Sequence, residues 1–205
     1  MKSLRRFAPL VAYLTVAIGL FWARNAWVAI LGYHAGLLAV LLLARFPIPI
    51  STFFKSNNLL NSVGNALIGA GSGVAMYLFW PVFDITETLA ADLARIGLTI
   101  SSWPFFIAYF SLVNPWLEEY FWRGYLGSPS KRLVANDFFF SGFHLLILFG
   151  KTSAAWLLFA LFLIAFAGWS WRQAAQKTKG LLAPSLSHLA ADFSILLAVY
   201  LTCTK

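Results

Sequence analysis

Apolar segments long enough to form helices follow one another along the whole chain. A helix that crosses a bilayer needs about 20 consecutive, mostly apolar residues. The fifth predicted segment is shorter than this, so it is expected to tilt or to be shielded by its neighbours. The pattern predicts an all-α, polytopic membrane protein of about seven transmembrane helices, at Phe7 to Trp22, Ala26 to Leu43, Leu60 to Pro81, Trp103 to Leu126, Asp137 to Phe149, Ala154 to Trp171 and Leu181 to Thr202.

One less apolar stretch, Asp84 to Ser101, lies between the third and fourth segments and predicts an amphipathic helix at the membrane surface. The basic residues indicate the orientation of the segments. When the segments alternate from a cytoplasmic N-terminus, most of the 15 Lys and Arg residues fall on the inside. The N-terminus is therefore expected in the cytoplasm and the C-terminus outside.

Composition supports a membrane protein and argues against nucleic-acid binding, a disulfide within the chain and a thiolate zinc cluster. The 205 residues are 60% hydrophobic and only 11% charged, which is outside the range of soluble globular domains. We therefore expect a single integral membrane domain over residues 1–205. The net charge of +8 is scattered between apolar segments, so it does not indicate nucleic-acid binding. The single cysteine excludes a disulfide within the chain and a thiolate zinc cluster.

Three ionisable residues stand together inside the fourth segment: Glu118, Glu119 and Arg123. A charge at bilayer depth costs about 3 kcal/mol even on a lenient scale, so these groups need partners or a function. Glu119 and Arg123 are four residues apart and are predicted to pair on one helix face. Glu118 then points about 100° away, and it is expected to face a cavity.

Other titratable groups lie at a similar predicted depth. At about 1.5 Å per residue, Glu118 lies about 12 Å from the cytoplasmic end of its segment, and His144 and His188 lie about 10 Å from theirs. His188 and Asp192 share one helix face, where Asp192 can orient His188, share a metal with it or carry a proton. His34 has no second polar group beside it in its segment, and we interpret it as a packing residue.

Glu118, His144 and His188 form a carboxylate and two imidazoles that can activate water. Two mechanisms fit this set. The residues, with Asp192, can hold zinc with an open coordination position. Alternatively, Glu118 acts directly as a general base while an imidazole polarises the target carbonyl. Hydrolysis is the reaction that both favour, and it requires a polar cavity open to the cytoplasm.

These residues fall into three ordered motifs between Asn114 and Asp192, of the forms EExxxR, FxxxH and HxxxD. The set resembles the CPBP family of intramembrane proteases, which includes the CAAX prenyl endopeptidases. Any one motif is weak evidence, whereas the ordered set on predicted membrane helices is fairly specific. The residues that carry the resemblance are Glu118, Glu119, Arg123, Phe140, His144, His188 and Asp192.

The resemblance implies cleavage of a peptide bond near the membrane surface. It implies that Glu118 activates water with His144, while Glu119, Arg123 and Phe140 support the site. The cofactor is then either none or one divalent metal such as zinc.

The third motif departs from that of the prenyl endopeptidase, which ends in asparagine where this chain has Asp192. That asparagine, with its histidine, is associated with stabilising the oxyanion. An ionised aspartate would repel an oxyanion, so Asp192 is expected to be protonated, to orient His188 or to bind a metal.

The expected partners are a membrane-associated protein or peptide substrate and the lipid bilayer, with no nucleic acid. The resemblance implies a multi-pass protein of the bacterial inner membrane.

Two other functions use the same features. A proton-coupled transporter would relay protons through the carboxylates and histidines, although no inverted repeat is evident. A non-catalytic bacteriocin-immunity scaffold would bind a partner in the bilayer.

Overall fold

The computed structural model describes residues 2–47, 50–56 and 59–204. Regular structure in these ranges is helical and includes no strand. The α-helices are α1 (Lys2–Phe7), α2 (Pro9–Ala17), α3 (Ala26–Leu43), α4 (Ile50–Phe54), α5 (Leu59–Leu78), α6 (Leu89–Arg95), α7 (Trp103–Glu118), α8 (Ala135–Leu148), α9 (Ala154–Thr178) and α10 (Leu182–Cys203). Two π-helical turns, Ile18–Trp22 and Glu119–Tyr125, and one 3₁₀ turn, Trp80–Phe83, extend or follow these helices.

Each apolar segment predicted from the sequence is helical over most of its length, but the fourth has an unexpected form. The α-helix ends at Glu118, and the chain continues as the π turn Glu119–Tyr125. In a π turn the backbone hydrogen bonds span five residues, as in the 2.8 Å bond from the Leu126 amide to the Phe121 carbonyl. Pro115, inside α7, lacks the backbone donor that a regular helix would use. Such wide turns occur frequently at functional sites.

Three of the described helices are long and apolar enough to cross a membrane: α3, α9 and α10. Two further apolar helical stretches, Pro9–Trp22 and Ala135–Leu148, are shorter. Only 11% of the apolar window of α9 is buried within the protein. An apolar helix that is left uncovered by its own chain is expected to face lipid. The helices therefore indicate an integral membrane protein.

The predicted surface helix Asp84 to Ser101 is shorter than the sequence suggested. Only Leu89–Arg95 is helical, and the residues on both sides form turns. Asp92 attaches this helix to the α8–α9 connection through a 2.9 Å ion pair with Lys151. Hydrogen bonds from Lys151 and Thr88 lower the pKa of Asp92 below its ordinary value. The segment is thus held by polar contacts as well as by its apolar face.

The core is aromatic and lies where α3, α8 and the Glu119–Tyr125 turn meet. Tyr33, Phe121, Phe140 and Phe143 are among its largest fully buried side chains. The Phe143 ring centre lies 5.2 Å from that of Tyr33 and 6.0 Å from that of Trp122. This packing covers the π turn on which the ionisable residues lie.

Small residues allow α5 and α10 to pack closely. A Cβ atom at Gly69 would overlap the backbone carbonyl of Ser187, and one at Gly73 would overlap the backbone of Ser194. The Gly73 amide also donates a 3.1 Å hydrogen bond to the Ser194 hydroxyl. Ser187 immediately precedes His188, so this contact fixes the part of α10 that carries the histidine.

We predict that Gly69→Ala lowers stability by about 1–3 kcal/mol, because the overlap is with backbone and is relieved only if the two helices move apart. Gly71→Ala is the matched control, since nothing lies near its added methyl group. Thermal unfolding of both variants in detergent measures the difference. Equal melting temperatures would show that the α5–α10 contact is not tight.

Candidate active site

The two adjacent glutamates lie at the junction between α7 and the π turn. Glu118 is 2% exposed and Glu119 is fully buried. Arg123, on the next turn, is also buried, and we call Glu118, Glu119 and Arg123 the charge cluster. A buried charge without a partner is strongly destabilising, so the contacts of each member indicate its role.

Oε1 of Glu119 contacts two side chains, the guanidinium of Arg123 and the imidazole of His188. Its Oε1 lies 3.1 Å from Nη1 of Arg123 and 2.9 Å from Nδ1 of His188. The ion pair expected from the four-residue spacing is therefore present. The contact with His188 joins the π turn to α10 and was not expected from the sequence.

Aromatic side chains enclose the Arg123 guanidinium. The group lies 4.0 Å from the Phe140 ring centre and 5.2 Å from that of Trp171, so both rings make cation–π contacts with it. Its Nε donates a 3.4 Å hydrogen bond to the Gly168 carbonyl. A side chain at Gly168 would contact Nη2 of Arg123 and the Phe140 ring. The conformation of Arg123 is thus set by close packing from α8 and α9.

Carboxylates surround the imidazole of His188 at both nitrogens. Nδ1 contacts Glu119, while Nε2 lies 3.5 Å from Oε2 of Glu118 and 3.5 Å from Oδ1 of Asp192. The Trp171 ring stacks on the imidazole at 4.2 Å with an interplanar angle of 19°. Because both nitrogens face carboxylate oxygens, the arrangement favours an imidazole with hydrogen on both nitrogens.

Asp192 is less closely bound to His188 than the sequence suggested. Glu119 makes the shorter contact with the histidine, at 2.9 Å, and fixes its orientation. Asp192 instead accepts a 3.1 Å hydrogen bond from the side-chain amide of Asn114. Its other oxygen remains directed at His188 Nε2.

His144 lies on α8 beside the same aromatic cluster. Its Nδ1 donates a 2.9 Å hydrogen bond to the Phe140 carbonyl, so Nε2 is the nitrogen left to accept a proton. Its ring centre lies 4.1 Å from that of Phe143 and 5.0 Å from that of Phe140. The Phe140 ring also contacts His188, 6.1 Å away, and so it lies next to both histidines.

The structure brings Glu118, Glu119, His188 and Asp192 into one contact network, with His144 adjoining it through Phe140. Among the described residues no hydrogen bond joins His144 directly to Glu118.

Three residues absent from the sequence-based site belong to this network: Asn114, Tyr33 and Trp171. Asn114 had a signal, because it lies one helical turn before Glu118 and on the same face. The hydroxyl of Tyr33 accepts a 3.1 Å hydrogen bond from Trp122, which belongs to the π turn. Tyr33 and Trp171 come from distant segments, and no local pattern marks them. His34, interpreted as a packing residue, is hydrogen-bonded to Asn114.

The fit to a metal ion is poor in this geometry. Within residues 2–47, 50–56 and 59–204, no three His, Cys, Asp or Glu side chains converge as metal ligands. Both His188 nitrogens are directed at carboxylates. The residues proposed as zinc ligands therefore do not form a ligand set in this arrangement.

A cleft of about 470 Å³ adjoins the site on the side where the π turn ends. Polar and basic groups line part of it, including Arg123, Ser128, Arg172, Gln176 and Lys179. Glu118 was expected to face a cavity, but it is not among the residues that line this cleft. Arg123 is the member of the charge cluster that reaches the cleft.

A helical membrane protein with buried carboxylates and histidines is thus the class that the fold and site define. Residues 100–194 match a protein-family model described as type II CAAX prenyl endopeptidase, Rce1-like. The match spans α7, the π turn, α8, α9 and the first part of α10, so it contains all three motifs. It confirms the resemblance drawn from the motifs. At family level it supports a membrane endopeptidase, which implies a peptide or protein substrate. No curated protein and no solved structure matches the chain.

We predict that Arg123→Leu destabilises the protein by about 3–5 kcal/mol, because it leaves the Glu119 carboxylate buried with one partner fewer. Arg95→Leu is the control, since Arg95 also pairs with an acidic residue, Asp92, but has a side chain that is 75% exposed. That exposed pair is expected to contribute less than about 1 kcal/mol. Thermal unfolding in detergent compares the two. Similar losses in both variants would contradict a structural role for the buried pair.

Proposed function

We propose that this protein is an intramembrane endopeptidase in which Glu118 activates water for attack on a peptide bond. One observation carries the proposal. Oε2 of Glu118 is buried without a hydrogen-bond partner among the described residues, and it lies 3.5 Å from His188 Nε2. Buried polar atoms are nearly always hydrogen-bonded, so an exception of this kind calls for water or substrate as the missing partner.

The two glutamates divide the chemistry between them. Glu119 is held through its Oε1 by Arg123 and His188, while its Oε2, like that of Glu118, has no hydrogen-bond partner among the described residues. Glu118 has no arginine within ion-pair distance among the described residues and lies 3.5 Å from His188, so it is the glutamate that acts as the general base. His144 has an unoccupied Nε2 and helps to hold the water.

The proposed reaction needs no group beyond these side chains and water. Glu118 removes a proton from water, and the water oxygen bonds to the carbonyl carbon of the substrate. The carbonyl electron pair moves to its oxygen, where an N–H of His188 stabilises the negative charge. The carbon–nitrogen bond then breaks, and the proton held by Glu118 passes to the departing amine.

The substrate is a membrane-associated protein or peptide. A site this deep among apolar helices favours a substrate segment that enters from the bilayer or from its surface. The cleft at the end of the π turn lies on that side and has polar and basic residues in part of its lining. The basic lining residues support an entrance for a polar or acidic chain end.

We also propose seven transmembrane segments with a cytoplasmic N-terminus. The bias of the basic residues supports this orientation. The fourth segment then combines α7 with the π turn, and the cleft lies towards the cytoplasm. The same orientation is consistent with the inner membrane of a bacterial cell.

We predict that Glu118→Gln lowers kcat for cleavage of a membrane-tethered peptide by at least about 10²-fold, because the amide cannot accept the proton from water. His144→Ala is expected to reduce kcat as well. Glu87→Gln, an exposed glutamate, is the control and retains wild-type activity. The assay uses purified protein in liposomes and detects the product by mass spectrometry. Full activity in both Glu118→Gln and His144→Ala would refute this mechanism, and substrate-driven proton uptake without cleavage would favour a transporter.

Reporter fusions test the orientation separately. A reporter that is active only in the cytoplasm is expected to be active when fused before α1 and inactive when fused after α10. Activity at both ends would indicate an even number of membrane crossings and would overturn the seven-segment topology. This result would leave the proposed chemistry unaffected.

A further inference from the structure

A chain of hydrogen bonds leads from α3 through α7 to the third motif. His34 Nδ1 lies 2.9 Å from the Tyr109 hydroxyl, and His34 Nε2 lies 3.1 Å from Oδ1 of Asn114. Nδ2 of Asn114 lies 3.1 Å from Oδ2 of Asp192. His34 is 3% exposed and Asn114 is 2% exposed, so neither has water as an alternative partner. Three helices thus meet at a single amide side chain.

The donor and acceptor properties of these groups give the chain one direction. Asn114 directs its NH₂ group at a carboxylate, so its carbonyl oxygen must receive a hydrogen from His34. His34 therefore carries hydrogen on Nε2, and its Nδ1 accepts from the Tyr109 hydroxyl. A reversed amide would place two acceptors, its own oxygen and that of Asp192, against each other. His34 thereby sets the orientation of the Asn114 amide.

The orientation of the Asn114 amide determines how the Asp192 carboxylate is placed. Its Oδ2 is fixed as an acceptor by Asn114, and this turns Oδ1 towards His188 Nε2, 3.5 Å away. The Asp192 side chain is 15% exposed, more than His188 or Glu118, so its own packing restrains it less. An external hydrogen bond is what holds such a carboxylate in one rotamer.

We propose that Asn114 and His34 are positioning residues, which hold Asp192 so that its second oxygen stays opposite His188 Nε2 and, together with Glu119 at Nδ1, keeps the imidazole in one orientation beside the reacting carbonyl. This inference rests on the proposed peptidase function. Asn114 acts directly on Asp192, and His34 acts through Asn114. Neither residue contacts the substrate.

The kinetic test compares variants that keep or remove one donor. His34→Gln retains an amide hydrogen near the position of Nε2, whereas His34→Phe has similar bulk without a donor. Asn114→Leu removes both hydrogen bonds of the amide. We expect Asn114→Leu and His34→Phe to lower kcat by roughly tenfold to a hundredfold. KM is expected to change little, and His34→Gln is expected to restore most of the activity.

Leu112→Ala, an exposed position on α7, is the control for changes on that helix. The double variant His34→Phe/Asn114→Leu is expected to be no slower than Asn114→Leu alone, since both changes break one chain. Additive losses, or equal activity in His34→Gln and His34→Phe, would overturn the proposal while leaving Glu118 as the proposed base.

A second measurement does not depend on activity. Nitrogen NMR of protein labelled in its histidine rings follows the 3 histidines of the chain. We expect His34 to carry hydrogen on Nε2 only, and we expect the His188 signals to change in Asn114→Leu. Unchanged His188 signals would refute the positioning role even if the wild type cleaves peptides. A wild type that shows these signals but no cleavage would instead refute the proposed function.

Discussion

Burial of the charge cluster among apolar helices is the constraint on which the rest of the structure depends. Glu119 has no solvent exposure, and its charge is compensated by Arg123 on the same turn and by His188 on α10. Those two contacts require α10 to lie directly against the π turn. The small residues between α5 and α10, and the aromatic rings around Arg123, allow that approach. Packing and electrostatics therefore favour the same helix arrangement.

Two neighbouring glutamates with the same chemistry acquire different properties from their surroundings. Oε1 of Glu119 is paired with both Arg123 and His188, whereas Glu118 has only a 3.5 Å contact with His188. The change from α-helix to π turn falls between them, and the two side chains face opposite nitrogens of His188. A buried carboxylate with a free oxygen beside an imidazole is poorly stabilised for folding and well placed for proton transfer. This contrast is the physical basis of the proposed mechanism.

The aspartate of the third motif has a hydrogen-bond partner of its own beside His188. Asn114 donates to one of its oxygens and His34 fixes the Asn114 amide. The other oxygen faces Nε2 of His188. A carboxylate held in this way favours the protonated imidazole. The aspartate that stands here in place of asparagine is thus accommodated by a hydrogen bond from Asn114 and a contact with His188.

The sequence by itself determined the helical class and the local pairs. The length of the apolar segments predicts helices, because backbone groups in lipid need hydrogen-bond partners within the chain. The four-residue spacing predicts the Glu119–Arg123 pair, because residues four apart lie on the same face of a helix. Only the tertiary structure decided that Glu119 orients His188, that Asn114 holds Asp192, and that the cleft reaches Arg123 instead of Glu118. It also replaced the last helical turns of the fourth segment with a π turn. These features depend on the rotation and depth at which distant helices pack, and the spacing of residues within one helix carries no information about either.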